Sequence, residues 1–229
     1  MSEVTIAECL ARADLPRLDA QMLLEAITGK SRVALMTHPE RPVTPAQRQT
    51  FHEWCARRRA GEPVAYLIGE REFYGLSFAV SPAVLIPRPE TELLVEIALE
   101  KLSTGPCKIL DLGTGSGAIA VAIAKHAPSA EVWAVDVSSD ALQVATANAK
   151  RHGVAIRFVQ SNWFAQLGDA RFDLIVTNPP YVAAGDPHLI DGDIRYEPPG
   201  ALVGGDDGLD AIRAIVGAAS AHLSANGLI

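Results

Sequence analysis

ILDLGTGSGAIA, residues 109–120, decides how the rest of this 229-residue chain is read. Ile109, Leu110 and Leu112 form a strand pattern, three glycines follow at alternate positions, and Ala118 opens an apolar run with helical character. A strand, a glycine turn and a helix in that order let the backbone approach a ligand at the edge of a sheet. Gly113, Gly115 and Ala118 satisfy the dinucleotide-binding pattern, so a nicotinamide cofactor is one reading. Asp111 favours another. A carboxylate beside the turn repels a pyrophosphate, whereas S-adenosyl-L-methionine carries a sulfonium and an ammonium and no phosphate. On that reading Asp111, Gly113, Thr114, Gly115, Ser116 and Gly117 are all candidate cofactor contacts.

Outward from this loop, strands and helices alternate: KILDL, SGAIAVAIAKH, EVWAVD, SSDALQVATANAKRHG, IRFVQ, FDLIVTN and a helix near 208–223. Nearly continuous apolar strands between helices predict a parallel sheet covered on both faces, an α/β fold. Asp136 ends EVWAVD about 20 residues past the glycines, where a carboxylate accepts hydrogen bonds from both ribose hydroxyls of either cofactor. QSNWF, residues 160–164, follows the third strand at the same sheet edge. There Trp163 is placed to line an adenine pocket and Asn162 to make polar contacts.

The fourth strand ends in NPPY, residues 178–181. Two prolines deprive a sheet of ladder hydrogen bonds, which calls for a reason. An NH2 group on an sp2 carbon is a poor nucleophile because its lone pair is delocalised. Two acceptors aimed at its N–H bonds, the side-chain oxygen of Asn178 and the carbonyl of Pro179, would fix the nitrogen and stabilise its developing positive charge. Pro179 and Pro180 lock the backbone, and Tyr181 supplies an aromatic wall for a planar acceptor.

Toward the N-terminus the pattern changes. RLDAQMLLEAITGK has Leu18, Met22 and Glu25/Ala26 at helical spacing, with Gly29 as a left-handed stop. TPAQRQTFHEWCARRRAG carries a cap at Thr44, Pro45 at the first helical position, Gln47 to complete a capping box, and Gly61 as a terminator. Aromatic and β-branched residues around Gly75 then signal a hairpin, and Pro82, Pro87 and Pro89 forbid further pairing. A loop rich in Gly, Asp and Pro, residues 183–206, is expected to be mobile.

The charge is uneven: residues 1–68 hold 9 Lys/Arg and 8 Asp/Glu, and the remainder hold 11 and 19. An acidic surface repels a phosphate backbone, so no direct nucleic-acid partner is expected; Arg57, Arg58 and Arg59 read as a helix end that suits the C-terminal dipole. Cys9, Cys55 and Cys107 are few and far apart, as reduced thiols of a cytoplasmic protein would be, and neither cysteine nor histidine spacing suggests a metal. No apolar run reaches membrane-spanning length, and the opening MSEVTIAECL lacks the basic head of a secretory signal.

DLGTGSGAIA, AVD, SNWF and NPPY, preceded by GEPVAYLIGEREFYGLSFAVSPAVLIPRPETE at 61–92, closely resemble the protein-(glutamine) methyltransferases of peptide chain release factors across nearly the whole chain. NPPY is shared with enzymes that methylate exocyclic amines of adenine or cytosine, so the hairpin and LIPRPETE are the more specific mark. The resemblance implies a helical substrate-recognition domain at 1–68, a β-hairpin linker at 69–90 and a Rossmann-like S-adenosylmethionine-dependent methyltransferase domain at 91–229. It implies methylation of the glutamine of a Gly-Gly-Gln loop, with the helical domain helping to grip the release factor. By the same analogy Gly113 to Gly117, Asp136, Trp163 and Asn178 contact the cofactor, and Asn178, Pro179, Pro180 and Tyr181 hold the glutamine. Arg88, Glu90 and Glu92 lie in the family segment, but both carboxylates also fit an acidic helix start and are assigned no catalytic part.

Two departures stand out. Asn162 occupies a position where the family usually has Asp, which keeps an acceptor oxygen without a charge. The family also continues through a fifth strand and an antiparallel pair, so the stretch SANGLI leads to the expectation of a truncated sheet with an open edge. Two other functions remain compatible with the residues: a nucleobase amino-methyltransferase, and a non-catalytic adapter that keeps a vestigial pocket.

Overall fold

The computed structural model describes residues 4–102 and 107–229; Met1, Ser2 and Glu3 of the opening stretch, and residues 103–106, lie outside it. The chain divides into two compact units, Met1–Gly69 and Glu70–Ile229.

The first unit is helical: α1 (Ile6–Ala11), α2 (Arg17–Thr28), α3 (Arg32–Thr37), α4 (Pro45–Arg59) and α5 (Val64–Ile68). Local capping sets its boundaries. Thr44 Oγ1 accepts from the Gln47 amide at 3.3 Å and Gln47 Oε1 accepts from the Thr44 amide at 3.1 Å, so two orphan donors at the start of α4 are satisfied. Gly29 ends α2 at φ 67°, a conformation open to glycine without steric cost. The buried face of α2 differs from the expected one: Leu18 is 52 % exposed, and Ala20, Leu23 and Leu24 pack into a core with Leu35, Phe51 and Cys55. The three arginines ending α4 are each engaged within this unit. Arg57 pairs with Glu62, Arg58 with Asp19, and Arg59 Nη1 donates to the Ala13 carbonyl.

In the second unit β1 (Glu70–Phe73) and β2 (Leu76–Ala79) form an antiparallel hairpin, turned at Tyr74 and Gly75 with φ 52° and 71°. Both turn residues lie in the left-handed region, which matches the twist of two-residue hairpin loops. After a 3-10 turn at Pro89–Thr91 come α6 (Glu92–Lys101), β3 (Lys108–Leu112), α7 (Ala118–His126), β4 (Glu131–Asp136), α8 (Ser139–His152), β5 (Arg157–Gln160) and β6 (Phe172–Thr177). Three further 3-10 turns, Pro187–Ile190, Ile194–Tyr196 and Pro199–Ala201, precede α9 (Asp210–His222) and β7 (Leu223–Leu228).

The five-stranded sheet has the order β5-β4-β3-β6-β7, all parallel. One face packs Ile109, Val132, Ala134, Leu174 and Val176 against α6, α7 and α8; the other packs Leu110, Trp133, Val135 and Ile175 against Phe164, Leu167 and α9. Strand order runs outward from β3 to β5, then reverses when the chain crosses to β6. The carboxyl ends of β3 and β6 therefore border the switch-point crevice, where open α/β sheets bind ligands.

One expectation is corrected. SANGLI does not leave the fifth strand missing: β7 is formed and pairs with β6, at Phe172 with Leu223 and Leu174 with Leu228. The Asn-Gly pair inside it reads locally as a turn, and Gly227 instead allows close approach, since a Cβ there would lie 2.7 Å from the Phe172 carbonyl. The segment 183–206 carries the last three 3-10 turns, and its Val203 forms a parallel bridge to Val182. Among the described residues no helix is long and apolar enough to cross a membrane.

Candidate active site

Leu112 of β3 and Thr177 of β6 are register partners, so Gly113 and Asn178 leave the sheet side by side. Thr177 Oγ1 donates to the Leu112 carbonyl at 2.8 Å and holds the two strand ends together. Two pockets open here. The first, about 220 Å³, is lined by Gly113, Gly115, Asp136, Asn162, Trp163, Asn178 and Pro180, together with Ala83, Val84, Leu85, Pro198, Gly200 and Ala201. The second, about 410 Å³, is lined by Arg88, Glu90, Thr91, Asn178, Pro179 and Tyr181 among others. Asn178, Leu85 and Ala201 border both, so the pockets meet at the asparagine.

Asp136 projects into the first pocket from the end of β4. Its two oxygens accept from the Gly115 and Ser138 amides, each at 2.9 Å, which fixes the carboxylate and leaves lone pairs for a ligand. Trp163 has φ 49°, uncommon for a bulky residue. Ser161 Oγ holds that conformation by donating to the Trp163 carbonyl at 2.7 Å while accepting from the Gln166 amide at 3.1 Å. The indole thereby reaches Gly113, where a Cβ would lie 3.6 Å from the ring.

The glycine loop is more specialised than its sequence suggests. Gly113 and Gly115 line the pocket, but Asp111, Thr114, Ser116 and Gly117 are set back from it. Gly117 allows packing against α8, since a Cβ would lie 3.0 Å from that of Ala145. The Ser116 carbonyl accepts from Nδ2 of Asn148, which also bonds both the amide and the carbonyl of Ala79. This fully buried asparagine ties the end of the hairpin to the glycine loop. Its only sequence signal is a polar residue on the apolar side of a helix.

Asp111 is fully buried beneath the loop. Thr114 Oγ1 donates to its Oδ2 at 2.6 Å, and Oδ1 has no hydrogen-bond partner among the described residues. Burial pushes its carboxyl up to about 7, against the pull of the Thr114 hydroxyl and the Ala120 amide, and the charge of Asp136 adds to the rise. The expectation that Asp111 presents a full charge to the pocket is therefore corrected: it titrates near neutrality, behind the pocket wall. Below pH 3.8 it is protonated in both the folded and unfolded chain; between 3.8 and about 7 only the unfolded chain releases the proton, so this group lowers stability as pH rises through that window. Asp111→Asn is expected to raise the melting temperature of the ligand-free protein at pH 8, with the gain shrinking toward pH 4. A gain that does not vary with pH would contradict this titration.

At NPPY the asparagine Nδ2 donates to Thr91 Oγ1 at 3.3 Å, which turns Oδ1 away from that partner. Among the described residues no backbone amide donates to the Pro179 carbonyl. Tyr181 is 63 % exposed and stands at the mouth of the second pocket. Glu92 accepts from the Tyr74 amide at 3.0 Å and so braces the hairpin, whereas Glu90 lines the second pocket. Two components escaped sequence reasoning. Ala83, Val84 and Leu85, expected as mere connector, wall the first pocket; the glycines at 204–208 back the NPPY loop. Among the described residues no group of three or more His, Cys, Asp and Glu side chains could hold a metal ion.

Residues 5–69 match the PrmC N-terminal domain family, and residues 89–190 match the methyltransferase small domain family. Release factor glutamine methyltransferase of Burkholderia pseudomallei (strain K96243) is 50 % identical over 237 residues, covering 100 % of this chain and 83 % of its own. The protein of that name from Escherichia coli (strain K12) is 48 % identical over 208 residues, covering 90 % of this chain and 75 % of its own. Among solved structures, the Thermus thermophilus 16S rRNA N2 G1207 methyltransferase in complex with AdoMet and guanosine superposes with a TM-score of 0.51 at 26 % identity, over 69 % of this chain and 39 % of that one.

Proposed function

Because the chain belongs to the release factor glutamine methyltransferase family, we propose that it methylates the side-chain amide nitrogen of the glutamine in the Gly-Gly-Gln motif of peptide chain release factors, with S-adenosyl-L-methionine as methyl donor. The observation that carries this reading is the meeting of two pockets at Asn178, one suited to a nucleoside and the other to a planar acceptor. The residues fit the cofactor. Gly113 and Gly115 clear space for close approach, Asp136 offers carboxylate oxygens to a ribose, and Trp163 offers an aromatic face with Asn162 beside it. The Thermus thermophilus methyltransferase of the same fold is in complex with AdoMet, which supports the same choice.

When bound, the cofactor supplies an electrophilic methyl group on a sulfonium. Asn178 Oδ1 and the Pro179 carbonyl accept the two N–H bonds of the glutamine amide and aim its nitrogen at that methyl. Methyl transfer would place growing positive charge on that nitrogen, and the two oxygens would stabilise it. The nitrogen then loses a proton to water, leaving a neutral N-methyl amide. Positioning is the dominant effect, on the order of 7–11 kcal/mol for a well-aligned intramolecular pair.

Among the alternatives, a nucleobase acceptor would need a basic surface, and the arginines at the end of α4 are engaged within their own unit. The deciding experiment incubates the protein with methyl-labelled S-adenosyl-L-methionine and purified release factor, then maps the label by peptide mass. Label on the Gly-Gly-Gln glutamine is expected. Its absence, with label instead on an oligonucleotide control, would assign the chemistry to a nucleobase.

A further inference from the structure

Arg88 and Glu197 are 109 residues apart in sequence and meet at the wall of the second pocket. Glu197 is fully buried in its side chain; Oε1 pairs with Arg88 Nη2, and Oε2 accepts from the Ile86 amide at 3.0 Å. A buried carboxylate is costly unless paired and hydrogen-bonded, and here both oxygens are committed. The result is an arginine held in place. Its side chain is 37 % exposed toward the pocket, and its remaining N–H groups have no partner among the described residues.

A carboxamide acceptor presents more than its nitrogen. It brings two N–H donors and a carbonyl oxygen, and the NPPY loop answers only the donors, through Asn178 Oδ1 and the Pro179 carbonyl. Enclosing the carbonyl oxygen without a donor would cost roughly 1–3 kcal/mol. The side chains lining the second pocket offer five donors: Arg88, Thr91, Thr177, Asn178 and Tyr181. Asn178 Nδ2 is spent on Thr91 Oγ1 and the Thr177 hydroxyl on the Leu112 carbonyl, Thr91 is held only as the acceptor of that one bond, and Tyr181 stands exposed at the mouth. Arg88 alone is fixed by an ion pair.

We propose that Arg88, positioned by Glu197, donates to the carbonyl oxygen of the acceptor and so makes the pocket select a carboxamide over a bare amine. The pairing explains why a cation is tolerable at this point. A lone guanidinium would oppose positive charge growing on the attacking nitrogen, whereas the ion pair supplies the donor with little net charge. This assignment rests on the reading of the acceptor as a glutamine amide.

Arg88→Met alone strands Glu197 without its partner and risks the fold. The double variant Arg88→Met/Glu197→Met replaces the pair by apolar side chains, which buried ion pairs often tolerate. With purified release factor as acceptor, the double variant is expected to lose about 10- to 100-fold in kcat/KM, the range for one lost buried hydrogen bond. S-adenosyl-L-methionine affinity, measured by calorimetry, should stay within about threefold of wild type, a difference of less than about 0.7 kcal/mol. A kcat/KM equal to wild type overturns the proposal. So does a parallel fall in cofactor affinity, which would make the pair a brace for the wall that the two pockets share. Wild-type protein that leaves the release-factor glutamine unmethylated refutes the acceptor assignment itself, before any variant is compared.

Discussion

Asn178→Ala is expected to lower kcat for methyl transfer to a release factor by at least about 10²–10³-fold, the usual loss on removing one preorganised group that stabilises transition-state charge. The loss should fall on kcat. Asn178 lies where the two pockets join, with its amide nitrogen on Thr91 and its oxygen available to the acceptor. The cofactor keeps Asp136, Trp163 and the glycine backbone in the variant, so its dissociation constant should rise no more than a few-fold. Single-turnover kinetics with labelled cofactor, alongside calorimetry, separates the two quantities. Near-normal turnover would remove Asn178 from the chemistry. A cofactor affinity reduced as far as the rate would show that the side chain chiefly completes the first pocket.

The parallel sheet and its crevice were legible in the sequence because two signals agree: alternating strand and helix patterns, and special backbone residues at strand ends that lie side by side in the fold. Gly113 follows β3 and Asn178 follows β6, so local motifs far apart in sequence converge once the strand order is known. What stayed hidden were side chains whose partners lie far along the chain. Asn148 sits in a helix with no local mark of its bonds to Ala79 and Ser116, and Glu197 in a proline-rich loop gives no sign that it is buried on Arg88. Asp111 lies in β3 just before the glycine loop, and its burial, which raises the carboxyl to about 7, depends on the whole sheet around it. Periodicity likewise located α2 but misplaced its buried face by about half a turn, because Leu18 faces solvent while Ala20, Leu23 and Leu24 face the core. Apolar residues mark a helix face only where the tertiary fold supplies the other half of the contact.

Gly208→Ala is expected to cost the enzyme about 100-fold or more in kcat/KM without touching any ligand, a loss typical of misplacing reacting groups by about 1 Å. The reason lies behind the NPPY loop. Gly208 has φ 79°, and an added Cβ would collide with the Tyr181 carbonyl; at Gly204 a Cβ would lie 2.6 Å from the Pro180 carbonyl. These glycines press against the backbone that two prolines stiffen, while the Val182 amide donates to Leu202 and the Gly204 amide to Val182, each at 2.9 Å. Two successive carbonyls, of Pro180 and Tyr181, thus face Gly204 and Gly208, and that of Pro179 remains for the acceptor. An alanine at 208 must either adopt a left-handed conformation costing roughly 1 kcal/mol and push Tyr181 outward, or unfold the bridge. Either outcome moves the Pro179 carbonyl. Gly185→Ala, at a position with nothing within 4 Å of its Cβ, serves as the control and should behave like wild type. If the Gly208 variant keeps full activity while its melting temperature falls, the glycine loop stabilises the fold without positioning the acceptor. If both are unchanged, the close packing behind NPPY has no mechanical consequence, and rigidity at that loop must come from its prolines alone.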